Sequence, residues 1–171
     1  SKEAISKLKK LGVKNIIMLT GDTKQKAKMI ADELGINEVR AELLPQDKAK
    51  IVKELMNEGK KVAFVGDGIN DAPALISAHV GISMSRGADI AKATADISLL
   101  KDDIMAVVEA KEYANKTMNL INNNFNATVG INSCILAGAT FGVFSPIVTA
   151  VLHNGTTIGL LFNSIKGVNI R

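Results

Sequence analysis

The chain has 171 residues, of which 22% are charged, 47% are hydrophobic and only 4% are aromatic. Its formal net charge of +4 falls to +2 over the first 116 residues, a near-neutral balance that argues against nucleic acid as a partner. The single cysteine, Cys134, excludes both an intrachain disulfide and a paired-cysteine metal or redox site.

Residues 1–102 alternate between helix-like and strand-like patterns. Helical stripes occur at Ala4, Ile5, Leu8 and Leu11, at Ala27, Ile30, Ala31 and Leu34, and at Ile51, Val52, Leu55 and Met56. Strand-like runs occur at residues 15–19, 38–43, 61–67, 80–84 and 96–100. This alternation predicts an α/β fold, in which a Rossmann-like parallel sheet has helices on both of its faces.

A long uncharged segment follows this region. The 49 residues between Lys116 and Lys166 contain no Lys, Arg, Asp or Glu, which indicates a membrane-embedded region. We predict a connecting helix at 103–120, transmembrane helices at 121–142 and 146–166, and a cytoplasmic tail at 167–171. Gly142, Ser145 and Pro146 supply the turn between the two spans.

Basic residues flank both ends of this predicted hairpin. The positive-inside rule therefore places both ends, and all of residues 1–116, on the cytoplasmic side of the cell membrane, in a multi-pass protein in contact with lipid. The alternative is a buried hairpin in a large soluble core, and the Asn-rich stretch 119–126 keeps that alternative open.

Polar residues gather where two of the predicted strands end. Ligands of parallel α/β sheets bind beyond the carboxyl ends of the strands, and both Thr20–Asp22 and Gly66–Asp71 lie there. Two carboxylates facing one point, those of Asp67 and Asp71, suit Mg²⁺, which takes few protein oxygens and keeps waters or phosphate. In the structural alternative Asp71 is a helix N-cap and Asp67 forms a turn, but Asp67 at a buried strand end would still need a counter-charge.

Lys48 stands in the first turn of a predicted helix, where a cation opposes the helix dipole. A phosphoryl group at the strand ends would supply the missing anion, and the Thr20 hydroxyl would donate to the same group. The alternatives are a solvated surface lysine and a threonine that caps a turn.

Three motifs, MLTGD at 18–22, LLPQDKAKIV at 43–52 and VGDGINDAPAL at 65–75, resemble in their order and spacing the phosphorylation domain of P-type ATPases. That domain is a haloacid-dehalogenase-like fold, and the resemblance extends over essentially the whole chain. It implies that Thr20, Gly21, Asp22 and Lys48 contact the phosphoryl group of a phosphorylated aspartate. It also implies that Asp67, with Asp71 close by, holds Mg²⁺, and that ATP is used through the full-length protein.

The D-K-T-G stretch that carries the phosphorylated aspartate in this family does not occur in the chain. Because the first residue is Ser1 rather than Met, we also expect a piece of a longer protein. The resemblance then makes residues 1–102 the C-terminal part of a phosphorylation domain, whose partners are the actuator and nucleotide-binding domains of the rest of the ATPase. We expect no activity from this piece alone.

The two spans resemble the heavy-metal branch of the family. Copper members carry Tyr-Asn in the penultimate span and Met followed by two serines in the last, and the corresponding residues here are Ile131-Asn132, His153 and Thr156-Thr157. Imidazole in place of a thioether disfavours Cu(I) and suits divalent ions. Candidate ligands for a transported Zn, Cd, Co or Mn-like cation are therefore His153, Asn132, Thr156 and Thr157. HNGTT also resembles an H-E-G-G-T span, but Asn154 replaces the Glu, so the metal stays open.

Two other functions fit parts of the pattern. One is a soluble haloacid-dehalogenase-like phosphatase, which the absent nucleophile and the uncharged hairpin disfavour. The other is a non-catalytic module that binds Mg²⁺ and phosphate.

Overall fold

The computed structural model describes residues 1–67, 69–85 and 89–167. The chain divides into two compact units, Ser1–Lys111 and a second one that begins at Glu112. Of the predicted tail 167–171, only Gly167 is among the described residues, and Gly68 of the VGDGINDAPAL motif lies outside them.

The first unit alternates helices and strands in the predicted order. Its elements are α1 (Lys2–Lys10), β1 (Ile17–Leu19), α2 (Lys24–Leu34), β2 (Glu38–Arg40), α3 (Pro45–Asn57), β3 (Ala63–Gly66), a 3₁₀ turn (Ile69–Asp71), α4 (Ala72–Ser77), β4 (Val80–Ser83), α5 (Asp89–Thr94) and β5 (Ile97–Ser98). Each strand-like run contains one strand, and each helical stripe lies on one of the first three helices, except that Leu11 follows the end of α1.

The strands are parallel, and they form two hydrogen-bonded ladders rather than one. β1 pairs with β2, while β3, β4 and β5 form a second ladder in that order. The predicted α/β fold with parallel strands is confirmed. The single continuous sheet is not, because among the described residues β1 and β3 each pair along one edge only.

Side chains that alternate along β3 separate the core into two faces. Phe64 packs with Val52 of α3 and with Ala74 and Leu75 of α4, whereas Val65 packs against a cluster that includes Leu8 of α1. Because successive strand residues point to opposite sides, helices cover both faces, as predicted. Full burial of a side chain such as Leu75 stabilises the unit by about 1.5–3 kcal/mol.

The second unit is a helical hairpin. The helix α6 (Met105–Thr140) enters it from the first unit, and α7 (Pro146–Gly167) follows the turn. Gly142 adopts a positive φ of 73°, and the Val143 N–H donates to the Gly138 carbonyl at 2.8 Å. These are features of a glycine-terminated helix end. All three predicted turn residues lie between the helices or at the start of α7.

Within the described ranges, no helix has the length and hydropathy that a segment crossing a membrane needs. The structure therefore does not show the predicted spans at 121–142 and 146–166. A connecting helix that precedes a first span is also not distinguished, because α6 is continuous from Met105 to Thr140.

Candidate functional site

The end of β1 carries the first group of candidate residues. The Thr20 hydroxyl donates to Asp22 Oδ2 at 3.0 Å and accepts from the Asp22 backbone N–H at 3.1 Å. The other carboxylate oxygen, Asp22 Oδ1, accepts from Lys26 Nζ at 2.7 Å. The Lys26 hydrogen bond, and after it the Thr20 hydroxyl, holds the pKa of the Asp22 carboxyl below its ordinary value. Asp22 is therefore ionised at neutral pH and holds the Thr20 side chain.

The loop after β1 contacts the segment that leads into α3. The Thr20 carbonyl accepts from the Leu43 N–H at 3.1 Å, and a Cβ added to Gly21 would lie 3.2 Å from the Leu43 carbonyl oxygen. The N-terminus of α3 is then capped by Asp47, whose Oδ2 accepts from the Leu44 N–H at 2.9 Å. These contacts fix the first turn of α3, where Lys48 stands, beside the end of β1.

Lys48 forms an ion pair with Asp71. Its Nζ lies 2.7 Å from Asp71 Oδ1, and the two side chains are only 17% and 10% exposed. The second oxygen, Asp71 Oδ2, accepts from the Asp67 N–H at 3.4 Å. The anion that Lys48 was expected to need is therefore already present in this structure, and it is a carboxylate.

This arrangement corrects the predicted environments of the two aspartates. Asp67 was expected to be buried and to need a counter-charge, but it is exposed, while Asp71 is buried and is paired with Lys48. Asp71 stands at the N-cap position of α4 without forming a side-chain capping bond. Gly66 permits this packing, because a Cβ there would lie 2.7 Å from the Asp71 Cβ.

The donor set at the end of β3 matches Mg²⁺ in kind. Asp67 presents an exposed carboxylate, a hard oxygen ligand of the type that Mg²⁺ prefers. The described residues contain no group of three His, Cys, Asp or Glu side chains that could hold a metal. An ion here would therefore take further ligands from water or phosphate, as Mg²⁺ commonly does.

The predicted transport residues lie in the hairpin unit, and the structure brings two of them into contact. His153 Nδ1 lies 3.0 Å from Asn132 Oδ1. The other two candidates donate their hydroxyl protons to their own helix, Thr156 to the Leu152 carbonyl at 2.8 Å and Thr157 to the His153 carbonyl at 3.0 Å.

Two groups of polar contacts were not predicted. Lys26 lies one helical turn after Asp22, and the i,i+4 spacing of opposite charges was the signal for it. In the hairpin, Asn124 donates to Ser164 Oγ and accepts from Asn163 Nδ2, both at 2.7 Å. The Asn-rich stretch 119–126 contains Asn124, but no sequence pattern identified Asn163 and Ser164 as its partners.

Comparisons with known proteins agree with this architecture. Residues 1–79 match the haloacid dehalogenase-like hydrolase family. A manganese-exporting P-type ATPase from Mycobacterium leprae is 41% identical over 99% of this chain, and a zinc-exporting one from Mycobacterium marinum is 40% identical over 99%. A copper-exporting P-type ATPase from Bacillus subtilis is 37% identical over 97% of the chain.

A solved structure matches across nearly the whole chain as well. The crystal structure of a zinc-transporting PIB-type ATPase in the E2.Pi state shares 37% identity and superposes on 98% of this chain with a TM-score of 0.89. The chain spans only 27% of that structure, and 23% of each of the two mycobacterial relatives. The resemblance indicated by the three motifs is thus confirmed over almost the full length of the chain.

Proposed function

We propose that this chain, a relative of the heavy-metal P-type ATPases, supplies such a pump with the C-terminal part of its phosphorylation domain and with its last two membrane helices. The intact pump would hydrolyse ATP through an aspartyl-phosphate intermediate and move a metal cation across the membrane. The observation that carries the proposal is a pair of hydrogen-bonded groups at the ends of β1 and β3. Asp22 holds the Thr20 hydroxyl in one group, and Asp71 bonds Lys48 and the Asp67 backbone N–H in the other.

The division of the strands into two ladders is compatible with a phosphorylated aspartate that comes from outside this chain. β1 and β3 each lack a hydrogen-bonded neighbour along one edge among the described residues, yet Leu19 of β1 packs against the cluster that contains Phe64 of β3. Unpaired strand edges of this kind readily accept another strand. A strand that carries the D-K-T-G aspartate, and that comes from outside this chain, would place it between Thr20 and Asp67.

Each residue has a distinct task in this scheme. The Thr20 hydroxyl would redirect its single proton from Asp22 to a phosphoryl oxygen. The Lys48 ammonium would bind phosphoryl oxygens and share its charge with Asp71. Asp22 cannot donate to a phosphoryl group and, being ionised, repels it, so we assign it to positioning Thr20. Asp67 would hold Mg²⁺, which when bound neutralises phosphoryl charge. Gly21 lets the loop pass close to Leu43.

The hairpin supports a membrane location through the placement of its side chains. Its exposed large apolar residues include Phe125, Leu136, Ile147, Leu161 and Phe162. The polar side chains of Asn124, Asn132 and His153 instead bond across to the facing helix. Polar groups that pair between helices, with apolar groups outside, are the arrangement that lipid favours. We therefore retain 121–142 and 146–166 as proposed spans, with residues 1–116 in the cytoplasm.

The cargo we propose is a divalent transition-metal cation. The relatives are named for different metals, among them manganese, zinc and copper, so their names do not select one. His153 is the only imidazole in the uncharged segment, and its exposed ring is a ligand suited to divalent ions. The soluble phosphatase alternative has no comparable support, because the sequence relatives align with the hairpin as well.

The test is phosphoenzyme formation in the full-length protein. Asp67→Asn removes the exposed carboxylate without a large change of shape, and we expect it to abolish phosphorylation by radiolabelled ATP. Asp32→Asn is the matched control, because Asp32 is an exposed aspartate on α2, and it should leave phosphorylation normal. Normal phosphoenzyme in Asp67→Asn would refute the proposed Mg²⁺ site.

A further inference from the structure

We infer that Asn132 is a positioning residue for cargo binding: its carbonyl oxygen fixes the proton of His153 on Nδ1 and so presents Nε2 as the metal ligand. This inference rests on the proposed function, and it changes the part assigned to Asn132, which the sequence pattern made a ligand candidate itself.

The hydrogen-bond chemistry decides which ring nitrogen carries the proton. The Asn132 atom that lies 3.0 Å from His153 Nδ1 is Oδ1, a carbonyl oxygen that accepts hydrogen bonds and donates none. With Asn132 Oδ1 as its partner, we assign Nδ1 as the donor. In the neutral ring the other nitrogen, Nε2, then carries a lone pair, which is the form that binds a metal.

The second ring nitrogen is available for a ligand. Among the described residues none bonds His153 Nε2, and the side chain is exposed within the hairpin unit.

The other polar contacts between the two helices of the hairpin contain no imidazole with an unbonded nitrogen. Asn124 uses its Nδ2 on Ser164 and its Oδ1 on Asn163, and Ser164 donates its own proton to the Leu160 carbonyl at 3.0 Å. That network pairs both polar atoms of the Asn124 side chain with residues of the facing helix. The Asn132–His153 pair leaves one strong ligand atom unused, so it resembles a metal ligand with its supporting partner.

The first measurement is the tautomer of His153, read by ¹⁵N NMR of histidine-labelled full-length protein in detergent without added metal. We expect wild type to carry the proton on Nδ1. Asn132→Asp, which retains an acceptor, should keep that state, and Asn132→Leu should lose it. A proton on Nε2 in wild type would overturn the inference whatever the pump transports.

The second measurement is zinc-stimulated ATPase activity of the same variants. Loss of a partner that orients a metal ligand lowers metal affinity 10- to 100-fold in other sites. We expect Asn132→Leu to raise the zinc concentration for half-maximal stimulation at least about tenfold. In Asn132→Asp that concentration should be close to the wild-type value. His153→Ala should abolish the stimulation.

Asn126→Leu is the matched control, because Asn126 is an exposed residue of the same helix, and its zinc response should equal that of wild type. If Asn132→Leu responds like wild type while His153→Ala does not, Asn132 has no positioning role. A wild-type protein with no response to any divalent metal would refute the proposed function, while the tautomer would still decide the inference.

Discussion

Removing Lys48 should expose how strongly the paired charges hold the end of β3. Lys48→Met keeps most of the side-chain volume but leaves the Asp71 carboxylate, only 10% exposed, with one long hydrogen bond of 3.4 Å from the Asp67 N–H. Breaking one partner of a buried pair typically costs about 3–5 kcal/mol. Since both side chains retain some exposure, we expect a loss near the lower limit, about 3 kcal/mol.

A double-mutant cycle separates the pairing energy from other effects of the substitution. In Lys48→Met/Asp71→Asn the buried position carries no charge, and the amide oxygen can still accept from the Asp67 N–H. We therefore expect the double variant to be more stable than Lys48→Met, with a coupling energy of about 2 kcal/mol.

The assay is hydrogen–deuterium exchange of the peptide that covers β3 and α4, because exchange reports the free energy of local opening. A loss of 3 kcal/mol corresponds to exchange faster by roughly a hundredfold. Lys50→Met, at an exposed position of the same helix, should change exchange little. Strictly additive losses in the double variant would refute the argument, because they would mean that the two charges do not interact.

Three further predictions concern other parts of the chain. Asp22 has a lowered pKa, so its pairing with Lys26 stabilises the fold above the unfolded pKa of about 3.9 and is lost as pH falls through the folded value. The thermal stability advantage of wild type over Lys26→Met should accordingly shrink below about pH 4, whereas the exposed Lys28→Met should show no such trend. Gly66→Ala should displace Asp71 and destabilise the β3–α4 region by about 1–3 kcal/mol, measured by the same exchange experiment. Reporter fusions in the full-length protein at Ser145 and at the end of the chain should report opposite sides of the membrane, and the same side for both would favour the soluble-core alternative.

The elements of the first unit could be read from the sequence because each has its own local signal. A stripe such as Ile51, Val52 and Leu55 determines both the type of an element and the face it buries, and all three are buried in α3. Strand bounds were less exact. Residues 96–100 were predicted as a strand, but β5 covers only Ile97–Ser98, and beyond it Leu99 is buried while Leu100 is 95% exposed.

The site was predictable in its members but not in their environments. The spacing of the motifs predicted that four residues lie at the strand ends, namely Thr20, Lys48, Asp67 and Asp71. Which aspartate is buried depends on a lysine 23 residues away in sequence and on the space left by the missing side chain of Gly66. Local patterns contain neither fact. The division of the strands into two ladders could not be predicted either, because a pattern that predicts a strand does not say whether both edges of that strand have neighbours.

Two glycines permit close contacts in the hairpin, Gly138 with the turn and Gly167 between the two helices. A Cβ at Gly138 would collide with the ring of Phe144, and one at Gly167 would lie 2.6 Å from Leu120 Cδ2. Inserting one residue into a helix rotates everything beyond it by about 100°. An insertion in α6 between Leu120 and Asn132, or in α7 between His153 and Gly167, would therefore break one of the two contacts between the helices. Homologues that keep the His–Asn pair should therefore vary in length within the turn, residues 141–145, and not within either helix.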